Sequence, residues 1–191
     1  MPGTPLPVIG LAIVGGGIVI AYGVKNTKTA LASTPTSSPA AASSSAGSSA
    51  GSATGGPAVS IPGIPSGTAQ SIIDSAASAH GVPLGVFYGM FNNETSLGAN
   101  ISTSSTGAVG PFQFEPSTAA SYGYPLVNEP DVSQLTAQAN AAATLLATLH
   151  SQFGSWESAL AAYNAGPANV GAGMSYADQA LAWAQQHGLP T

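Results

Sequence analysis

The chain has 191 residues, no cysteine, two basic side chains against seven acids, and a formal net charge of −5. Its charged fraction of 5% is far below the roughly 25% of an ordinary globular domain. A basic nucleic-acid footprint is excluded, since the only cations are Lys25 and Lys28, and the lack of cysteine excludes disulfides and thiolate zinc sites. His80, His150 and His187 stand far apart without ligand spacing and read as surface or helix-end residues.

The chain divides by composition into three parts. Residues 1–28 hold an uncharged apolar run, LPVIGLAIVGGGIVIAYGV, at positions 6–24. As a helix it spans about 28 Å, close to the ~30 Å hydrocarbon core of a bilayer. Its five glycines suit a membrane helix better than a helix in water. Ala30-Leu31-Ala32 resembles a signal-peptidase site, but no basic segment precedes the apolar run. An uncleaved membrane anchor is therefore expected, with a cleaved signal peptide as the rival and a buried core helix third. Residues 29–66 are mostly Ser, Ala, Gly, Pro and Thr. Such a segment buries too little apolar surface to offset its chain entropy, so a disordered linker is expected. As a coil it would reach about 35 Å r.m.s.. Residues 67–191 are left as one domain with its own core.

Within that domain, Ser66 and Thr68 are expected to cap a helix running through Ile72, Ile73 and Ala76 to His80, with Gly81 as its stop. Val82-Pro83 starts a second helix, on which Leu84, Phe87, Tyr88 and Phe91 fall at i, i+3, i+4 and i+7. It ends near Asn93-Glu94. Residues 95–115 are loop-like. Pro116 opens a short helix to Ala120. Asp131 caps a long helix with Leu135, Ala139, Ala142, Leu146, Leu149 and Phe153 on one stripe, stopped by Gly154. Ser155 caps the next, through Trp156, Leu160 and Tyr163, and Ser175 is expected to cap the last. The fold class read from this pattern is all-α, with a long loop between the second and third helices.

Asp74, Asp131, Glu157 and Asp178 sit at helix starts or on exposed faces, where capping and solubility explain them. Glu115 and Glu129 precede prolines in loops. Glu94 differs, because it ends the apolar helix that carries Phe87, Met90 and Phe91. A cleft wall there would desolvate the carboxyl and raise its pKa, which suits a proton donor near neutral pH. On periodicity alone an ordinary surface glutamate fits as well.

Three motifs carry a family resemblance. They are Glu94-Thr95 at the end of a helix, Gly110-Pro111-Phe112-Gln113-Phe114-Glu115-Pro116-Ser117-Thr118-Ala119, and Ala162-Tyr163-Asn164-Ala165-Gly166. Together, and joined by the run Ser104-Ser105-Thr106-Gly107-Ala108-Val109-Gly110, they resemble the catalytic domain of the soluble lytic transglycosylases, a branch of the goose-type lysozyme-like fold. The resemblance covers about residues 68–184. It departs from the common pattern in two places. Thr95 stands where the family has serine, and Pro111-Phe112 stands where it usually has Leu-Met. Neither change removes a proton donor or acceptor.

The resemblance implies a lysozyme-like helical domain that cleaves the MurNAc–GlcNAc β-1,4 bond of peptidoglycan. Glycosidases ordinarily use two carboxylates. The family resemblance implies one glutamate helped by the substrate's N-acetyl group, and a 1,6-anhydromuramyl product. On that reading Glu94 is acid and then base. Thr95, Gln113, Tyr163 and Asn164 hold the glycan or order the loop, with Tyr176 as a further groove residue. Tyr163 and Asn164 also fit a plain helix end, and Tyr176 a core or surface aromatic. No metal or organic cofactor is implied. The expected partners are glycan strands, the membrane through residues 6–24, and virion or secretion-apparatus components. The alternatives are a hydrolytic muramidase, with Glu115 or Glu129 as second carboxylate, and a non-catalytic glycan-binding component. Low lysine content and small size lean toward a phage protein that opens the wall as the phage crosses it. The domain must face the cell wall, although Lys25 and Lys28 follow the span on the domain side, against the usual positive-inside bias.

Overall fold

Proline and glycine set most helix ends in the computed structural model, which describes residues 56–191. The apolar run at 6–24 and the linker up to residue 55 lie outside the described residues. Among the described residues the helices are α1 (Ser66–Ala79), α2 (Leu84–Thr95), α3 (Pro116–Tyr122), α4 (Val132–Phe153), α5 (Trp156–Ala165) and α6 (Met174–Gln186), with a 3-10 turn, Val170–Gly173, ahead of α6. These residues contain no strand, only two isolated bridge pairs, Ile61 with Ile64 and Val109 with Phe114. The described part is all-α, as expected. None of its helices is long and apolar enough to cross a membrane.

Several ends follow the expected chemistry. Pro116 opens α3, and Gly123 closes it at φ +65°. Asp131 forms a capping box with Gln134. Its carboxylate accepts the Gln134 N–H at 2.8 Å, and the Gln134 side chain accepts the Asp131 N–H at 2.9 Å. The Ser155 hydroxyl accepts the Ser158 N–H at 3.1 Å at the start of α5. Two expected caps are corrected. Pro65 occupies the N-cap of α1 and no side chain caps that helix; Ser66 is already helical because the proline ahead of it fixes the entry angle. At the other end of the domain Ser175 lies inside α6. The 3-10 turn passes straight into the helix at Met174, so no separate cap is needed.

The core forms around α2, where every residue from Gly85 to Phe91 is buried. α6 approaches it closely through small residues. A Cβ at Gly89 would lie 2.3 Å from the Ala180 carbonyl oxygen, and one at Gly85 would lie 2.6 Å from the Pro190 carbonyl oxygen. Gly85 N–H donates to that Pro190 oxygen at 2.8 Å. Ala177, Ala180 and Ala184 present the matching stripe on α6 and are fully buried. This seam brings the start of α6 to the end of α2.

The linker boundary is also corrected. Residues 56–65, read from composition as linker, pack on the domain, with Val59, Ile61 and Ile64 in the core cluster. Ile61-Pro62-Gly63-Ile64 closes a tight turn, with Ile64 N–H on the Ile61 carbonyl at 3.1 Å and Gly63 at φ +77°. Proline at the second position and glycine at the third are the residues a type II turn requires.

Candidate active site

Glu94 sits in the last turn of α2, half-buried. The seam between α2 and α6 places Tyr176 beside it, and the Tyr176 hydroxyl donates to Glu94 Oε1 at 2.5 Å. Asn93 Nδ2 ties the same junction by donating to the Tyr176 carbonyl at 3.0 Å. Burial pushes the Glu94 carboxyl up to about 7, against the opposing pull of the Tyr176 hydrogen bond. Residues 56–191 contain no lysine or arginine, so no fixed cation offsets the cost of a buried carboxylate. Burial and the nearby Glu94 charge raise Tyr176 and Tyr163 well above the ordinary phenol value, so both stay protonated and act as donors.

The second motif folds as a tight hairpin. Val109 and Phe114 exchange backbone hydrogen bonds at 3.0 and 3.1 Å, and Gln113 N–H donates to the Gly110 carbonyl at 3.1 Å. Gly110 at φ +82° has no room for a side chain: a Cβ would lie 2.3 Å from the Tyr124 hydroxyl. Gln113 at φ +48° is held in the left-handed region. Its Nε2 donates to the Ser102 and Gly110 carbonyls at 3.0 and 2.8 Å. Two carbonyl partners fix the amide's orientation and leave its oxygen as the group able to meet a ligand.

The other two motifs grip this hairpin. The Thr95 hydroxyl donates to the Pro111 carbonyl at 2.8 Å, and the Tyr163 hydroxyl donates to the Phe112 carbonyl at 2.8 Å. The Phe112 ring is buried against Phe87 and Phe91, with centroids 5.5 and 4.9 Å away. Three motifs far apart in sequence thus become one hydrogen-bonded unit around the end of α2.

A pocket of about 170 Å³ opens on this unit, and its lining includes Glu94, Gln113, Tyr163, Asn164 and Glu115. Four of the six residues expected at the site therefore share one cavity. Asn164 is exposed at its edge. Tyr176 is outside the lining and meets the pocket only through its hydrogen bond to Glu94. Thr95 is corrected as a glycan contact: it is 2% exposed, and its hydroxyl also accepts the Gly98 N–H at 3.2 Å. Its position orders the loop and leaves nothing to offer a ligand. Glu129 is exposed and does not line the pocket, whereas Glu115 does. Ser104 and Thr106 also line it and were not singled out from sequence. Their hydroxyls lie 2.9 Å apart; a serine- and threonine-rich loop gives no signal that marks individual members. Tyr124 was missed too. Its hydroxyl donates to the Val109 carbonyl at 3.0 Å and accepts the Phe112 N–H at 3.4 Å, which braces the hairpin from behind.

A carboxyl near 7 beside a protonated tyrosine can give a proton to a substrate oxygen and survive as a hydrogen-bonded carboxylate. The cleft's amide and hydroxyl groups suit a neutral polyhydroxylated ligand. Fold and site together define a helical domain with one strongly perturbed glutamate beside a polar cleft.

The transglycosylase SLT domain family matches residues 71–186, and the chain belongs to that family of glycan-lyase-type enzymes. A solved structure of the lytic transglycosylase Slt from Pseudomonas aeruginosa, an inactive Glu-to-Gln mutant, aligns at a TM-score of 0.51 and 22% identity. The alignment covers 64% of this chain and 25% of that one, so the chain spans about a quarter of that protein, and the likeness is one of fold. No curated protein matches the chain.

Proposed function

We propose that this protein cleaves the β-1,4 bond between MurNAc and GlcNAc in peptidoglycan, with Glu94 as acid and then base. The observation that carries the reading is the Glu94 carboxyl, raised to about 7 by burial and held at 2.5 Å by Tyr176. Protonated Glu94 donates to the leaving glycosidic oxygen as the C1–O bond breaks. The neighbouring N-acetyl oxygen stabilises the oxocarbenium-like centre. The Glu94 carboxylate, still hydrogen-bonded to Tyr176, then takes the proton of the muramic C6 hydroxyl. That oxygen closes on C1 to give the 1,6-anhydro ring. The Gln113 side-chain oxygen and Asn164 are placed to hold sugar hydroxyls or acetamido groups. We further propose that residues 6–24 anchor the chain in a membrane, with the domain on the wall side, and that it opens the wall locally, as a phage crossing the envelope requires.

One observation favours a second reading. Glu115 lines the same pocket as Glu94, and two carboxylates are what hydrolysis with an activated water uses. Release of soluble glycan from purified cell-wall sacculi, by the full chain and by Glu94→Gln, tests the proposal. Release by the wild type alone is expected, and equal release by both would remove Glu94 from the chemistry.

A further inference from the structure

Residues 56–64 contain no catalytic group, yet they are fastened to α2, which carries Glu94 in its last turn, and to the turn that follows it. Val59, Ile61 and Ile64 are 2%, 4% and 8% exposed, so this is packed chain. It is pinned at two places. At its start Gly56 N–H donates to Asp74 Oδ2 at 3.4 Å, and Gln70 Nε2 donates to the Gly56 carbonyl. The Tyr88 hydroxyl on α2 holds the same Asp74 at 2.8 Å. At its middle Ser60 N–H donates to the Leu97 carbonyl at 2.9 Å.

The second pin falls on an unusual turn. Ser96, Leu97 and Gly98 follow Glu94-Thr95 with φ of +52°, +58° and +86°. Two of them are not glycine, and such residues keep a left-handed backbone only where their neighbours over-determine it. Within the turn, Ser96 N–H donates to the Asn92 carbonyl at 2.8 Å, Ala99 N–H to the Ser96 carbonyl at 3.3 Å and Asn100 N–H to the Thr95 carbonyl at 2.9 Å. The Thr95 hydroxyl accepts the Gly98 N–H, and Asn100 Nδ2 donates to the Ser96 hydroxyl at 3.3 Å. These bonds are local, and the Leu97 carbonyl is held from outside the turn by the 56–64 segment. A Cβ at Gly98 would lie 2.5 Å from Ile61 Cδ1 and 2.6 Å from the Ser60 carbonyl oxygen, so the two pieces of chain touch with no gap.

We propose that residues 56–64 form a strap that positions Glu94, with Ile61 and Gly98 as positioning residues that fix the left-handed turn and, through Thr95, the angle at which α2 delivers its carboxyl. The inference rests on the reading of Glu94 as proton donor. It gives the junction between linker and domain a role in the reaction: the chain that leads to the membrane-anchor candidate joins the domain at the segment that holds the reacting glutamate in place.

The test uses the full chain with Ile61→Ala, the milder Ile61→Val, and Gly98→Ala, whose new Cβ pushes the strap away. Leu149→Ala, buried in α4 and outside both strap and pocket, is the control for lost stability alone. Each is assayed at a temperature where circular dichroism finds it fully folded. The first readout is kcat and KM on soluble glycan strands. The second is the titration midpoint of the Glu94 carboxyl by 13C NMR in the free protein. The ionisable groups facing Glu94 are Tyr176 from α6, Tyr163 from α5, Tyr124 behind the hairpin and Glu115 in the pocket, and no variant alters them. Ile61→Ala and Gly98→Ala are expected to lower kcat about ten- to a hundredfold, as a misplacement approaching 1 Å does, with KM changed less than about twofold on the same grounds. The Glu94 midpoint should fall from near 7 toward the ordinary carboxylate range as water reaches it. Ile61→Val should fall between, and it carries the test if the larger changes prevent folding. Strap variants that match Leu149→Ala in both kcat and midpoint would overturn the proposal. If the wild type cleaves no glycan, the reading of Glu94 fails on that result, and the NMR midpoint still decides whether the strap sets the carboxyl's environment.

Discussion

Replacing Tyr176 with phenylalanine removes one oxygen, the partner 2.5 Å from Glu94 Oε1. That donor stabilises the ionised carboxylate and so opposes the effect of burial, which holds the group near 7. Hydrogen bonds to charged groups contribute about 1.5–3 kcal/mol. Both residues are half-buried, so the lower end of that range applies, and about 1.4 kcal/mol corresponds to one pH unit. Tyr176→Phe should therefore raise the Glu94 titration midpoint by about one pH unit. The same hydrogen bond strengthens as Glu94 gives up its proton, so kcat should fall about tenfold at a pH where the acid is fully protonated. A 13C NMR titration and a pH profile of kcat read the two effects independently. A midpoint that stays put or falls would refute the reasoning, because it would mean that the hydroxyl does not favour the carboxylate.

Glu94→Gln should stabilise the fold in a defined pH window. The folded-state value is raised from 4.5 to about 7, so the folded state binds the proton more tightly; its stability contribution is complete below about 4.5 and is lost as pH rises through 7. Urea unfolding at pH 8 should find Glu94→Gln more stable than wild type by up to roughly 3 kcal/mol, with little difference at pH 4. Thr95→Val should cost about 1–3 kcal/mol by leaving the Pro111 carbonyl and Gly98 N–H unpaired, and Thr95→Ser should recover most of it in the same unfolding assay. Gly89→Ala should destabilise by about 1–3 kcal/mol through overpacking, because the new Cβ meets the Ala180 carbonyl at 2.3 Å. By parting α2 from α6 it should also weaken the Tyr176–Glu94 contact, seen as a displaced Glu94 midpoint.

Helices with strong local signals were legible in the sequence. Asp131, Ser155, Pro116 and Gly154 each act within one turn of themselves, so composition and spacing sufficed. Glu94, Gln113, Tyr163 and Asn164 could be singled out because three motifs occur in one order. Their union through the Pro111 and Phe112 carbonyls could not be read, since backbone oxygens leave no trace in side-chain pattern. Tyr176 is named from the resemblance as a groove residue, with a core or surface aromatic as the alternative, and its contact with Glu94 is not legible in the sequence. Its role depends on the glycine seam at Gly85 and Gly89, which only a packed pair of helices reveals. Residues 56–65 were lost to the low complexity of what precedes them, although Val59, Ile61 and Ile64 around Pro62-Gly63 carried both an apolar pattern and a turn signal. The family resemblance leaves Thr95 either to hold the glycan or to order the loop; its burial and its bond to the Pro111 carbonyl fit the second.

The most direct test of the central claim is mass spectrometry of the fragments released from purified peptidoglycan by the full chain, with Glu94→Gln alongside. Single-glutamate chemistry at Glu94 predicts 1,6-anhydromuramyl ends from the wild type and no fragments from the variant. Reducing muramic ends from the wild type would contradict it and shift the chemistry to water activated by a second carboxylate, with Glu115 the residue in the pocket to answer for it.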